Sequence, residues 1–188
     1  MKKALLPLLL VGLLVAFRLM AAWWPNAMPG FEPMSAMFFC AAACLGLRWL
    51  WVPAVAWLGS YPITNAIKGY PLDWQILLVL IGFALAIGLG WLLRKNRKLL
   101  PMLGGAIGVA LLFYTVTNLG SWLLAPYPKT WAGFWQAQTV GLPGYIPAWV
   151  FLKNAIMANL IFTALFLLGQ RQWAETPSGE LAPARVRH

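Results

Sequence analysis

A chain of 188 residues that is 62% hydrophobic and 10% charged has more apolar surface than a water-soluble core can hide, since ordinary domains are about a quarter charged. The composition excludes a soluble globular domain and indicates an integral membrane protein, so the net charge of +10 reports topology rather than a nucleic-acid partner. One histidine, His188, and four acids, Glu32, Asp73, Glu175 and Glu180, are too few for a His-based metal site, a Ser-His-Asp triad or a relay of carboxylates; the chain is expected to be no enzyme and to carry no cofactor.

Crossing a bilayer takes about 20 apolar residues. Six stretches meet or approach this, at 4–24, 33–47, 49–67, 74–93, 99–124 and 147–168. The second is short and the third contains Pro53 and Pro62, so a five-span count with 33–67 partly re-entrant is the alternative. The expected fold is an all-α integral membrane protein of six transmembrane helices, forming one domain over residues 1–170, with a polar, flexible cytoplasmic tail at 171–188. Lys2 and Lys3, the apolar run and the pair Ala21-Ala22 also fit a signal peptide; the run is long for one, and Arg18 interrupts the cleavage region.

The basic residues orient the six spans. With both termini cytoplasmic, the inner segments hold ten of them: Lys2, Lys3, Arg48, Arg94, Lys95, Arg97, Lys98, Arg171, Arg185 and Arg187. The outer loops hold two, Lys68 and Lys129, while Arg18 and Lys153 fall within spans. Ten against two is a strong positive-inside bias, and it supports both the even count and the orientation.

Depth then follows from position. Arg18, Glu32, Thr64, Asn65, Asn118, Trp122, Lys153 and Asn154 fall near the outer ends of their spans, with Asn159 deeper, while the inner halves are mostly Leu, Ala, Gly and Val. Polar groups inside a span are costly unless paired and mark functional sites. This one-sided distribution predicts a pocket open to the outside, capped by the loops around Tyr70-Pro71 and Tyr127-Pro128. Arg18, Glu32 and Lys153 form its electrostatic set, and Asn65, Asn118, Asn154 and Asn159 its hydrogen-bonding set. The competing reading has Arg18 and Lys153 snorkelling to headgroups and the asparagines bonding helix to helix. Lys153 and Asn154 are adjacent, and Asn159 lies about 140° around the helix from Asn154 at ~3.6 residues per turn, so only some of the three can line one pocket.

The outer boundary is rich in tryptophan, which an interfacial belt explains for the most part. Trp122, Tyr127 and Trp131 remain candidates for stacking on a planar ligand, and residues 131–138 suit a short interfacial helix over the pocket. Cys40 and Cys44 share one face of the second span at a spacing of four. With no histidine beside them they read as small packing residues rather than metal ligands. No G-x-x-x-x-G-K-[ST] loop is present, so any use of ATP belongs to a partner.

Three stretches carry a resemblance: NAMPGFEPMSAMFFCAAACLGL at 26–47, TNLGSWLLAPYPKTWAG at 117–133, and 143–163 with its FLKNAIMANLIFT. The TN-x-G-x-W followed by YPKT-x-AG is its specific part. They resemble a family of small bacterial inner-membrane proteins described as transport proteins, similar in size and layout to the S components of energy-coupling-factor (ECF) vitamin transporters. The resemblance implies a six-helix substrate-binding subunit for a vitamin-like compound, working in the bilayer alone or with an ECF transmembrane coupling subunit and two ATPases. Two positions depart from the family's pattern, which has Arg at Lys153 and Asp at Asn159. Lysine keeps the charge but loses the planar fork that binds carboxylate or phosphate in two places. The expected function is binding and uptake of a small vitamin-like compound, with Arg18 and Lys153 on an anionic group. The alternatives are a structural or assembly subunit and a Cys-dependent membrane enzyme, for which the chain offers no nucleophile-base pair.

Overall fold

A computed structural model describes residues 2–24, 27–69 and 75–175. The described residues are all-helical: α1 (Lys2–Trp23), α2 (Met34–Cys40), α3 (Trp51–Lys68), α4 (Gln75–Leu93), α5 (Leu99–Leu124), α6 (Trp131–Gln138) and α7 (Ala148–Glu175). Among the described residues, three stretches are long and apolar enough to cross a membrane, Gln75–Leu93, Leu99–Leu124 and Ala148–Gln170, which makes the chain a membrane protein by length and composition. α7 continues to Glu175, past the expected tail boundary at 171; residues 176–188, and the expected cap at Tyr70-Pro71, lie outside the described residues.

Helix ends follow local chemistry. Gly69, at φ +68°, closes α3 in the left-handed conformation that glycine adopts without penalty. Pro126 and Pro128 stop α5, whose last carbonyls are taken up by the Lys129 ammonium on Trp122 O and Ala125 O, a cation at a helix C-terminus. Thr130 caps α6 by accepting from Gly133 N at 3.2 Å. Pro62 lies inside α3, where it removes one helix hydrogen bond.

The packing centres on α2. Every residue from Met34 to Cys44 is buried, because α3, α4, α5 and α7 all close around this segment. A helix that is apolar all round needs cover all round. After Cys40 the helix widens into a π-turn at Ala41–Leu45, closed by Gly46 N on Ala41 O at 2.9 Å. From Met34 to Leu45 the segment is 12 residues, about 18 Å at ~1.5 Å per residue, well short of the ~30 Å of a bilayer core.

Contacts with α7 show where α2 sits. Asn154 Nδ2 donates to Pro29 O at 2.9 Å, Ser35 Oγ to Asn159 Oδ1 at 3.1 Å, and Cys40 Sγ to Thr163 Oγ1 at 3.6 Å. Residues 29, 35 and 40 thus descend alongside 154, 159 and 163. Ser35 lies eleven residues into α7, about 16 Å from its start by the same rise. The chain before α2 therefore dips into the bundle, and α2 occupies only its lower part. The other helices rise past its N-terminus and leave a space above it. Gly90 lets α4 approach α2 closely: a Cβ there would meet the Phe39 carbonyl oxygen and lie 3.1 Å from the Ala42 Cβ.

The opposite end of the bundle carries a basic cluster. Arg48 sits in the turn between α2 and α3, and Arg94, Lys95, Arg97 and Lys98 between α4 and α5. Arg94 stacks over the Trp91 ring at 4.1 Å, and Arg97 Nε donates to Arg94 O at 2.9 Å.

Candidate functional site

Above α2 lies a cavity of about 890 Å³, within the ~300–1,000 Å³ of small-molecule sites. Six helices and three connecting segments line it. Every contributing helix does so from the same end: the C-terminal parts of α1, α3 and α5 and the N-terminal parts of α2, α4 and α7. Ser121, Tyr127 and the segment Gly141–Ile146 form the rim, and Met34 and Asn159 lie at the bottom.

One wall is aromatic. Trp57 meets Phe83 edge-on, with ring centroids 5.4 Å apart at 87°, and Tyr61 at 4.8 Å. Phe83 packs in turn on Phe113 at 5.5 Å and, beneath the cavity, on Phe38 at 4.5 Å. Such a wall offers flat faces and edges to a planar ligand.

The other side is polar and holds an ion pair. Arg18 Nη1 donates to Glu32 Oε2 at 2.7 Å, with the arginine side chain 5% exposed and the glutamate 40%. Arg18 Nε is buried without a partner among the described residues, an arrangement that costs free energy unless something accepts from it. Asn159, at the bottom, accepts from Ser35 and donates to Ala155 O at 2.8 Å. Asn118 donates to Tyr114 O at 3.0 Å, which turns its carbonyl oxygen away from that bond. Asn65 lines the cavity with no hydrogen-bond partner for its carboxamide among the described residues. Burial raises the Tyr127 phenol above its ordinary pKa, so its hydroxyl stays neutral at the rim.

Of the nine residues expected at the site, six line the cavity: Arg18, Glu32, Asn65, Asn118, Tyr127 and Asn159. Three do not. Lys153 is exposed on the other face of α7, with Nζ 5.9 Å from the centre of the Trp149 ring. Asn154 is buried but its amide is spent on Pro29 O, which pins the descending segment to α7. Trp122 turns toward α6, donating from Nε1 to Pro128 O at 2.9 Å and meeting Phe134 edge-on at 5.8 Å. The cause on α7 is helical phase: Phe151, Ala155 and Asn159 line the cavity, a four-residue spacing that leaves 153 and 154 on other faces. Trp131 stacks on Phe134 at 5.3 Å and is 72% exposed, a position suited to a headgroup belt. The short helix at 131–138 forms, beside the cavity rather than over it, with Gln138 bonded to Tyr114 and Thr115 of α5.

The sequence offered no sign of the aromatic wall: Trp57, Phe83 and Phe113 sit mid-helix among apolar neighbours. Only Trp57 and Tyr61, four apart on α3, carried a hint, as two aromatics on one helix face. Neither cysteine lines the cavity; Cys40 and Cys44 are buried in the core below it.

Because Lys153 stands outside the cavity, Lys153→Ala should change stability by no more than ~0.5 kcal/mol, as for other exposed substitutions. Thermal denaturation of both proteins in detergent checks this, and a loss well beyond that range would show that the side chain supports the fold.

Among curated proteins and among solved structures nothing matches the chain. One family does, over residues 1–178, nearly the full length: the chain belongs to DUF6580, a family of unknown function.

Proposed function

We propose that this protein binds and takes up a small, vitamin-like compound, received in the cavity above α2. In this reading it spans a bacterial inner membrane six times, with both termini cytoplasmic and the cavity open to the outer side. The observation that carries it is the cavity itself: about 890 Å³, with an aromatic wall on one side and buried polar groups on the other. Its orientation rests on Arg48 and the Arg94–Lys98 group, which lie at the end away from the cavity, as the positive-inside rule requires of a cytoplasmic face. α2 takes part as a half-span shielded by its neighbours, since buried backbone is tolerated at membrane depth when protein rather than lipid surrounds it. The resemblance to ECF S components extends the proposal to partners, a transmembrane coupling subunit and two ATPases that would supply the energy. The role of helix glue suits Asn154, whose carboxamide is spent inside the protein, but not Asn65, whose carboxamide faces the cavity.

Melting of the detergent-purified protein against a panel of vitamins and their precursors tests the binding step. A compound at ~100 times its dissociation constant should stabilise the folded state by about 2.7 kcal/mol. The shift should disappear in Ala155→Trp, which puts a large side chain into the cavity from α7. A panel without any shift, or a shift that survives Ala155→Trp, would refute the cavity as the site.

A further inference from the structure

Resting on that proposed binding role, we infer that the ligand is uncharged: a planar ring carrying amide- or carbonyl-like edges, selected by Glu32 as much as by Arg18. Arg18 is the one cation among the described residues lining the cavity, and Glu32 the one anion. They lie 2.7 Å apart, so the charge of Arg18 is already balanced by the protein. Lys153, the second cation expected to meet an anionic group, stands outside. An anionic ligand would enter beside the Glu32 carboxylate with no uncompensated positive charge among these residues to receive it, and would lose its hydration on the way. A cationic ligand would meet a carboxylate already engaged by a buried guanidinium.

The remaining polar groups are all neutral. Carboxamides come from Asn65, Gln75, Asn118 and Asn159, and hydroxyls from several serine, threonine and tyrosine side chains. Groups of this kind pair with the donors and acceptors of amides, ureas and heterocyclic edges. Arg18 contributes as a donor rather than as a charge: one nitrogen is committed to Glu32, while Nε has no partner among the described residues. The Trp57–Phe83–Phe113 wall supplies the surface for the ring.

The test uses probes matched in shape and different in charge: benzamide, benzoate and benzylamine, then 2-naphthamide, 2-naphthoate and 2-naphthylmethylamine. Affinities are measured at pH 7.5 by ligand-observed NMR, with Ala155→Trp as the filled-cavity control. The carboxamides should bind about tenfold or more tightly than either charged partner, and lose binding in the control. Glu32→Gln should reverse the order, because an uncompensated Arg18 then favours the carboxylates by about tenfold. Should Glu32→Gln fold poorly, the double variant Arg18→Gln/Glu32→Gln removes both charges, and it should keep the carboxamide preference. Carboxylates or amines binding best to the native protein, with binding lost in Ala155→Trp, would overturn the uncharged-ligand inference and leave the cavity as a site. No cavity-dependent binding by any probe up to the millimolar range would overturn the inference and the binding role together.

Discussion

Replacing Glu32 with Leu should lower stability by about 2–3 kcal/mol, more than replacing Arg18 with Met. Removing one partner of a buried ion pair typically costs ~3–5 kcal/mol, because the other charge is left buried and unpaired. That range must be reduced here, since the Glu32 side chain is 40% exposed and solvent screens part of the interaction. The asymmetry follows from burial. Without Glu32, the guanidinium of Arg18, 5% exposed, is stranded. Without Arg18, Glu32 is left with some access to the cavity and a further interaction of its own, so Arg18→Met should cost only about 1 kcal/mol. The double variant Arg18→Met/Glu32→Leu should recover most of the loss, as hydrophobic replacement of buried pairs often does. A double-mutant cycle from denaturation in detergent measures the coupling. Additive single effects, or a Glu32→Leu effect under 0.5 kcal/mol (roughly the scale of ordinary surface substitutions), would show that the pair does not hold the descending segment in place.

Gly90→Ala should destabilise by about 2 kcal/mol, whereas Gly120→Ala should be nearly neutral. Both glycines lie within helices, where alanine alone would gain up to ~1 kcal/mol. At Gly90 the added methyl runs into the backbone oxygen of Phe39 and crowds Ala42. Neither a carbonyl in the centre of a packed helix nor a Cβ can swing aside, so α4 must move off α2. Overpacking of this kind costs ~1–3 kcal/mol or more, and it outweighs the propensity gain. At Gly120 the methyl meets the end of the Leu78 side chain, which borders the cavity and can change rotamer into open space. At ~2–4 °C per kcal/mol for a chain of this length, Gly90→Ala should melt several degrees below the native protein and Gly120→Ala alongside it. Equal melting of the two variants would contradict the close α2–α4 contact.

The helices were legible because long apolar runs between charged or proline-containing breaks have few other readings. The run Arg94–Lys98 separated α4 from α5, and the YPKT turn ended α5 where proline and the Lys129 cap require. The depth of α2 was not legible. Met34–Cys44 is apolar on every face, and such a pattern is the same whether lipid or protein covers it. The short length raised the question of re-entry, and contacts such as Ser35 with Asn159 show only how far along α7 the segment lies. In the site, Arg18 and Glu32 stood out because charge within apolar sequence is conspicuous, although nothing in a separation of 14 residues says that they pair. Lys153 stood out for the same reason and lies elsewhere. Its distance from the cavity is set by the rotation of α7, which is fixed by packing against α2 and α5 rather than by the sequence pattern of α7. The aromatic wall lay beyond sequence reading because Phe83 and Phe113 become neighbours only when α4 and α5 pack together.

The central claim is a solvent-filled cavity reached from the outer face of the membrane, and labelling of Thr117→Cys by a membrane-impermeant maleimide tests it directly. Thr117 lines the cavity below the rim. The native thiols Cys40 and Cys44 are buried, so the unsubstituted protein supplies the baseline. In intact spheroplasts Thr117→Cys should label well above that baseline, and Ala155→Trp in the same chain should reduce the reaction. Labelling of Thr117→Cys only after the membrane is permeabilised, or not at all, would contradict an outward-facing cavity.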